Sequence, residues 1–337
     1  MAESLVNSIA RLRVLEKGLL TKEHVARLVS CQGYEEALRL LREAGYGQKR
    51  ADKESGASAI GAEDDELERM IACELANTYA TVDELMPERL KNITDAFRLR
   101  HDVINIKLLY KLRLLKQNTE AVQLDAGGIY DEGKLKKAMA SGDYGFMPKQ
   151  LKAELERLDV DTYYGADPKE VSVAIDNAYA AYGRAHSNAF VRKYFKVLAD
   201  FNNVLIILRG GSEGFMPEGE IGKKELDAIS KLMPDEPAKA AERIADVFTQ
   251  SPVRKAVRQA FDLSLNEGGA SAFEGARDEY LITLASEGKT DIDSPAPIVG
   301  YMLAKEREAS VVRLILTAKR SDIPMNTVRE RGVALYG

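Results

Sequence analysis

Apolar residues recur along this chain with helical spacing and almost nowhere with the alternation of a strand. Leu5, Ile9, Leu12 and Leu15 step by four, three and three, which predicts a helix with one apolar face. Leu67, Ile71, Leu75, Thr78, Val82 and Leu85 predict a second helix, which must stop before Pro87. Phe97, Ile104, Leu108, Leu112 and Leu115 predict a third apolar stripe, on a helix from about Arg89 to Lys116. Gly45 and Gly47, the pair Gly127-Gly128 and the pair Gly210-Gly211 each read as the end of a helix. No stretch alternates with period two between turn residues, so the expected fold class is all-α. Two stretches lack any pattern. Gln48–Gly61, rich in Ser, Ala, Gly and charge, reads as a mobile linker. It leads into Glu63-Asp64-Asp65-Glu66, acids that complement the positive end of a helix dipole. Glu287–Pro297 reads as a loop before the last long helix.

Laying the long helices side by side reveals an internal repeat. The segment Arg98–Leu115 carries Asp102 and Asn105, and the segment Lys196–Gly211 carries Asp200 and Asn203, 98 residues later. In Ala304–Arg320 the acid position is Glu308, 108 residues further on, and Val311 stands where Asn is expected. An aliphatic run follows each acid, with a base in or just after it: Lys111 and Arg113, Arg209, and Lys319. The segments Glu74–Tyr79, Ile175–Tyr179 and Phe273–Leu281 also correspond, each upstream of its long helix. We therefore expect three helical units of roughly one hundred residues, divided as 1–120, 121–215 and 216–337. A buried Asp or Asn costs stability unless hydrogen-bonded, so the repeated Asp102, Asn105, Asp200, Asn203 and Glu308 are expected to fix helix register. Direct contact with a partner is the other reading of these residues.

Composition narrows the function. The 337 residues are 45% hydrophobic and 30% charged, enough for a sizeable core in a soluble body. Forty-eight basic against 53 acidic residues leave a net charge of −5, which argues against nucleic acid as a partner. Two cysteines, Cys31 and Cys73, make no disulfide framework and suit a reducing compartment. The opening residues are amphipathic and predict no secretory signal, and the longest apolar run, Val204–Leu208, predicts no membrane span. His24, His101 and His186 are too scattered for a metal centre. Gly128–Lys134 matches GxxxxGK, but Leu135 stands where a phosphate loop needs Ser or Thr, and Asp131 and Glu132 would repel phosphate. A turn followed by a helix capped by Asp131 and carrying Leu135 and Met139 is the expected structure. Gly210, Gly211 and Gly214 lack dinucleotide spacing and read as a helix end. No catalytic, cofactor or metal site is expected.

Several segments together resemble one family. Ile9–Glu16 through Leu19-Leu20-Thr21 is similar to the opening of the V-type ATP synthase C subunit, whose eukaryotic relative is the d subunit of the V-ATPase. Tyr34–Leu38 with Leu40-Leu41 and the Gly45-Tyr46-Gly47 turn continue the likeness, as do His101–Lys107, Lys305–Leu316 and Val328–Arg331. Val311, Gln48–Gly61 and Gln117–Asp125 depart from it. The resemblance implies a non-catalytic part of a rotary ATPase, with three helical units forming a funnel around a pseudo-threefold axis. It further implies a cytoplasmic, peripheral position on the membrane proteolipid (c/K) ring, with the D and F subunits of the central shaft inserted into the funnel. Such a part couples proton or sodium flow to shaft rotation and needs no cofactor. Lys107, Arg113, Arg209 and Arg313, near the ends of the repeat helices, are then expected to include contacts to shaft or ring. The alternative is a soluble helical-repeat scaffold that binds partner helices or peptides.

Overall fold

The computed structural model describes residues 5–48, 66–163, 167–209, 211, 214–248, 254–266, 269–330 and 335. Among these residues all regular structure is helical. The helices are α1 (Leu5–Leu15), α2 (Lys22–Ser30), α3 (Gly33–Glu43), α4 (Glu66–Leu85), α5 (Lys91–Leu114), α6 (Glu132–Ser141), α7 (Lys149–Tyr163) and α8 (Pro168–Arg184). They continue as α9 (Ala189–Leu208), α10 (Lys223–Leu232), α11 (Pro237–Val247), α12 (Arg254–Asn266), α13 (Ala270–Ser286), α14 (Ala296–Arg320) and α15 (Met325–Glu330). The predicted linker Gln48–Gly61, apart from Gln48, and the acids Glu63–Asp65 lie outside the described residues.

Polar side chains start many of these helices. Thr21 caps α2 by accepting the His24 N–H, while His24 Nδ1 accepts the Thr21 N–H, a reciprocal box. Asp131 caps α6 through the Lys134 N–H at 3.0 Å, and that helix buries Leu135 and Met139 as expected. Asp167 caps α8, with Pro168 in its first turn, and Asn188 caps α9 through two backbone N–H groups.

The described chain divides into two compact units, residues 1–94 with 271–337 and residues 95–270. In the first, α14 packs against α4, α3, α1 and α15. Its core joins Leu28, Leu38 and Leu41 from the N-terminal helices to Ile71 of α4 and to Val312, Ile315 and Leu316 of α14. The opening and closing segments of the chain therefore share one apolar interior. In the second unit, α5 to α8 enclose a core that includes Tyr110, Leu135, Tyr144, Leu151, Leu155 and Ile175. The chain then continues through successive contacts α8 to α9, α9 to α10, α10 to α11 and α11 to α12.

Two sequence expectations need correction. Helix α5 exists nearly as predicted, but Leu99, Val103, Ile106, Leu109 and Tyr110 form its buried face, while Ile104 and Leu115 are more than half exposed. Apolar residues line both sides of α5: of the predicted stripe Phe97 is buried and Leu108 packs against the core, whereas Ile104 and Leu115 turn outward and the polar Asp102 and Asn105 lie on the buried face. Gly127 and Gly128 do not end a helix: α5 stops at Leu114, and the pair sits in the following loop, pressed against α5.

Candidate functional site

The repeated acids and asparagines are buried, and in the first two copies each ties its long helix to the loop that starts the next short helix. Asn105 of α5 donates through Nδ2 to the Asp125 carbonyl at 2.9 Å and accepts the Asp125 N–H through Oδ1 at 2.8 Å. Asn203 of α9 does the same to Met216, at 2.9 Å in both directions. A primary amide matches one residue's N–H and C=O at once, as an added strand would. The acid one turn earlier acts four residues further along the loop. Asp102 accepts the Ile129 N–H at 2.8 Å, and Asp200 accepts the Glu220 N–H.

Glycine makes both approaches possible. A Cβ on Gly128 would lie 2.2 Å from the Asp102 carboxylate, and one on Gly219 would lie 2.4 Å from that of Asp200. Each glycine falls three residues after the loop residue that Asn holds, and α6 and α10 begin four residues after the glycine. The two staples share one register.

The third copy uses different chemistry and a distant partner. Glu308 of α14 accepts the Leu20 N–H at 2.6 Å, 288 residues away in sequence, just before α2. Val311, at the asparagine position, is buried in the apolar interior. In place of the amide, Lys305 reaches the Glu308 carboxylate at 3.0 Å, Glu74 of α4 at 2.8 Å and the Gly18 carbonyl at 3.3 Å. Glu74 in turn accepts the Gly47 N–H at 3.0 Å. A Cβ on Gly18 would meet nothing within 4 Å, so this copy makes no glycine-dependent approach at that residue.

Eleven residues beyond each acid, the long helix meets the far end of the short helix. Arg113 donates to the Met139 carbonyl of α6 at 3.2 Å, and Lys319 donates to the Val29 and Cys31 carbonyls of α2 at 3.2 and 2.7 Å. At the matching place after Asp200, the Gly211 carbonyl accepts the Ser230 hydroxyl of α10 at 2.9 Å. Met139, Val29 and Ser230 are each the eighth residue of their helix. In the first and third copies an acid therefore meets the N-terminal end of the short helix and a cation its C-terminal end, complementing its dipole.

The cations expected to reach a partner are largely engaged within the chain. Lys107 pairs with Asp176 of α8 at 2.7 Å. Arg113 pairs with Asp159 of α7 at 2.5 Å and lies over the Tyr110 ring. Arg313 makes a two-point pair with Glu68 of α4, both bonds at 2.8 Å, on an exposed edge. Arg209 follows the last turn of α9 and is exposed. The histidines take local bonds: His101 with Asp125 at 2.8 Å, His186 with the Asn188 N–H, and His24 in its cap.

Burial dominates the electrostatics of the staples. It pushes the Asp102 carboxyl up to about 6, against the pull of the Ile129 and Tyr130 N–H groups. It pushes Asp200 up to about 7, the N–H of Glu220 again opposing and the Glu220 charge adding to the rise. Glu308 is likewise raised by burial to about 7, with Lys305 pulling the other way. Sequence reasoning found Asp102, Asn105, Asp200, Asn203 and Glu308 but missed Lys305, Glu74 and the glycines Gly128 and Gly219. The glycines stand three residues after the loop residue held by Asn in both intact copies, which a comparison of the loops would reveal.

The model of the ATP synthase (C/AC39) subunit family matches residues 8–331 of this chain. The chain belongs to that family. Among relatives of the C/AC39 subunit, the A-type ATP synthase C subunit of Methanosarcina acetivorans is 22% identical over 97% of this chain and 92% of its own length. The same protein of Methanocaldococcus jannaschii is 22% identical over 97% of this chain and 85% of its own. That of Thermococcus kodakarensis is 23% identical over 95% and 88%. The C/AC39 subunit is a component of rotary A/V-type ATPases, and the likeness read from the sequence segments therefore holds. Among the described residues no helix is long and apolar enough to cross a membrane.

Proposed function

We propose that this chain is a non-catalytic central-stalk subunit of a rotary A/V-type ATPase, a socket that couples the membrane proteolipid ring to the D and F subunits of the shaft. It sits peripherally on the cytoplasmic face and transmits torque between ion flow and ATP synthesis or hydrolysis. Three helical units around a pseudo-threefold axis form the funnel that receives the shaft. Recurrence on three long helices of a buried acid that accepts a loop N–H supports this reading most directly. A coupling under torsion must resist sliding between helices, and each long helix is tied at both ends of a short one, around close-packed apolar cores that resist deformation. The ties on α5 and α9 act in one register, as a repeated mechanical element requires.

Co-elution of the purified chain with a D–F complex on size exclusion tests the proposal. A stable one-to-one-to-one complex is expected, and none at low salt and micromolar concentration would favour a scaffold for soluble partner helices instead. Lys107, Arg113, Arg209 and Arg313 are assigned contacts to shaft or ring. Lys107, Arg113 and Arg313 all hold ion pairs inside the chain, but that of Arg313 lies on an exposed edge and Arg209 is exposed, so Arg209→Glu and Arg313→Glu are the variants to use. Unchanged binding of both variants to the shaft complex and to the ring would remove the assignment of Arg209 and Arg313, and unchanged binding after charge reversal at all four would remove it whole.

A further inference from the structure

Lys305 is a buried ammonium shared by two carboxylates, Glu74 and Glu308, whose side chains are 14% and 2% exposed. Other charged and titratable groups face this seam from each element around it. From α14 come Tyr301, Glu306, which receives the Tyr79 hydroxyl of α4, and Arg313, which holds Glu68 of α4 at the edge. From the turn after α3 comes Tyr46, whose buried hydroxyl burial holds well above its ordinary range, with Glu74 and Glu308 adding to the rise. Glu16, before α2, is paired with Arg13. The Arg313–Glu68 and Arg13–Glu16 pairs neutralise themselves, Glu306 bonds the Tyr79 hydroxyl, and Lys305 alone faces the two carboxylates of Glu74 and Glu308. A buried surplus of negative charge is costly, and a proton on one carboxyl of the cluster lowers it.

The same three residues are the polar ties between α14 and the N-terminal segment at this point. Glu308 holds the Leu20 N–H, Lys305 the Gly18 carbonyl, and Glu74 the Gly47 N–H, so they bracket α2 and α3 on both sides. We propose that the Glu74–Lys305–Glu308 cluster is a proton-dependent clasp, closed over α2 and α3 when it holds one proton and loosened when that proton is lost.

Glu308 is the site of that proton. Protonated, it still offers an oxygen to the Leu20 N–H, while Lys305 keeps Glu74 and the Gly18 carbonyl. Deprotonated, it leaves a net negative charge in the seam, which opening relieves by admitting water. The loosening therefore runs with rising pH. For a carboxyl at about 7 when closed and near 4.5 when open to water, the opening constant rises about tenfold between pH 6 and pH 8.5. The staples of the second unit tie their loops through the neutral amides of Asn105 and Asn203 as well, and the lysine near Asp200, Lys196, pairs with Glu220 at a part-exposed position.

Hydrogen exchange of the full chain, followed by mass spectrometry and corrected for the intrinsic pH dependence of exchange, tests this. Protection of the amides in Lys22–Glu43 should fall about tenfold from pH 6 to pH 8.5 in the wild type. Glu308→Gln, which keeps the acceptor and removes the charge, should abolish that fall. If Glu308→Gln does not fold, Glu74→Gln should have the same effect, since it also removes one of the two negative charges that face Lys305. Constant protection across the range in the wild type, or an unaltered pH response in the folded variant, would overturn the proposal.

Discussion

The staple on α9 and the one on α14 solve the same problem with opposite chemistry. On α9, Asn203 and Asp200 grip a loop that begins only a few residues beyond the same helix, and the amide half of the grip carries no charge. On α14, Glu308, Lys305 and Glu74 grip a loop from the other end of the chain, and every side chain in the grip is ionisable. An amide that matches both backbone groups of one residue is geometrically selective and indifferent to pH. An ion cluster reaches further and holds several segments at once, but it depends on the balance of its charges. The local closure joins a neutral amide to one buried acid, whereas the closure between chain ends rests on ionisable groups throughout.

The largest effect that would break this contrast comes from removing the central charge. Lys305→Met strands two buried carboxylates and should cost about 3–5 kcal/mol in urea denaturation at pH 7.5. Asn203→Leu orphans one N–H and one C=O of Met216 and should cost less, about 2–3 kcal/mol. If the two losses are equal, or their order is reversed, the claim that charge carries more of the α14 closure is wrong.

A smaller effect sharpens the role of the acids. Asp200 has a folded value of about 7 against an ordinary 3.8, so the folded state binds the proton more tightly than the unfolded one. Its contribution is full below about pH 4 and is lost as pH rises through 7. Comparing denaturation midpoints at pH 5.5 and 8, the stability difference should shrink by about 2 kcal/mol in Asp200→Asn. An undiminished difference would show that the carboxylate is not the titrating group.

The smallest effect belongs to the edge. Arg313 and Glu68 pair on an exposed surface, with side chains 47% and 35% exposed. A double-mutant cycle with Arg313→Ala and Glu68→Ala should give a coupling of no more than about 1 kcal/mol. A coupling of several kcal/mol would mean that the ionic closure extends from the buried seam to the surface.

Much of this arrangement is legible in the residues themselves. The acid and the asparagine one turn later announce a polar device on α5 and α9, and the degraded third copy is visible as Val311. Their partners are less so. Asp125 and Met216 share neither residue type nor distance from their asparagine, because a backbone N–H and C=O can be supplied by any residue. The buried face of α5 is hard to read for a different reason: apolar residues line both sides of the helix, and periodicity alone does not choose between them. The cations Arg113 and Lys319 were visible as bases after an aliphatic run, but their target, the last carbonyls of a short helix, was not.

The sequence alone determined the helical character, the long helices with their repeated acid position, the capped start of α6 and the likeness to the C/AC39 family. These follow from local forces: periodic burial, side-chain capping and the spacing of residues on one helix. Only the tertiary structure decided that α14 closes onto α2 rather than onto a loop of its own, and that Lys305 takes the place of the missing asparagine. A contact across 288 residues leaves no periodic trace, and a buried lysine between two acids looks, in sequence, like ordinary charge on a solvated helix.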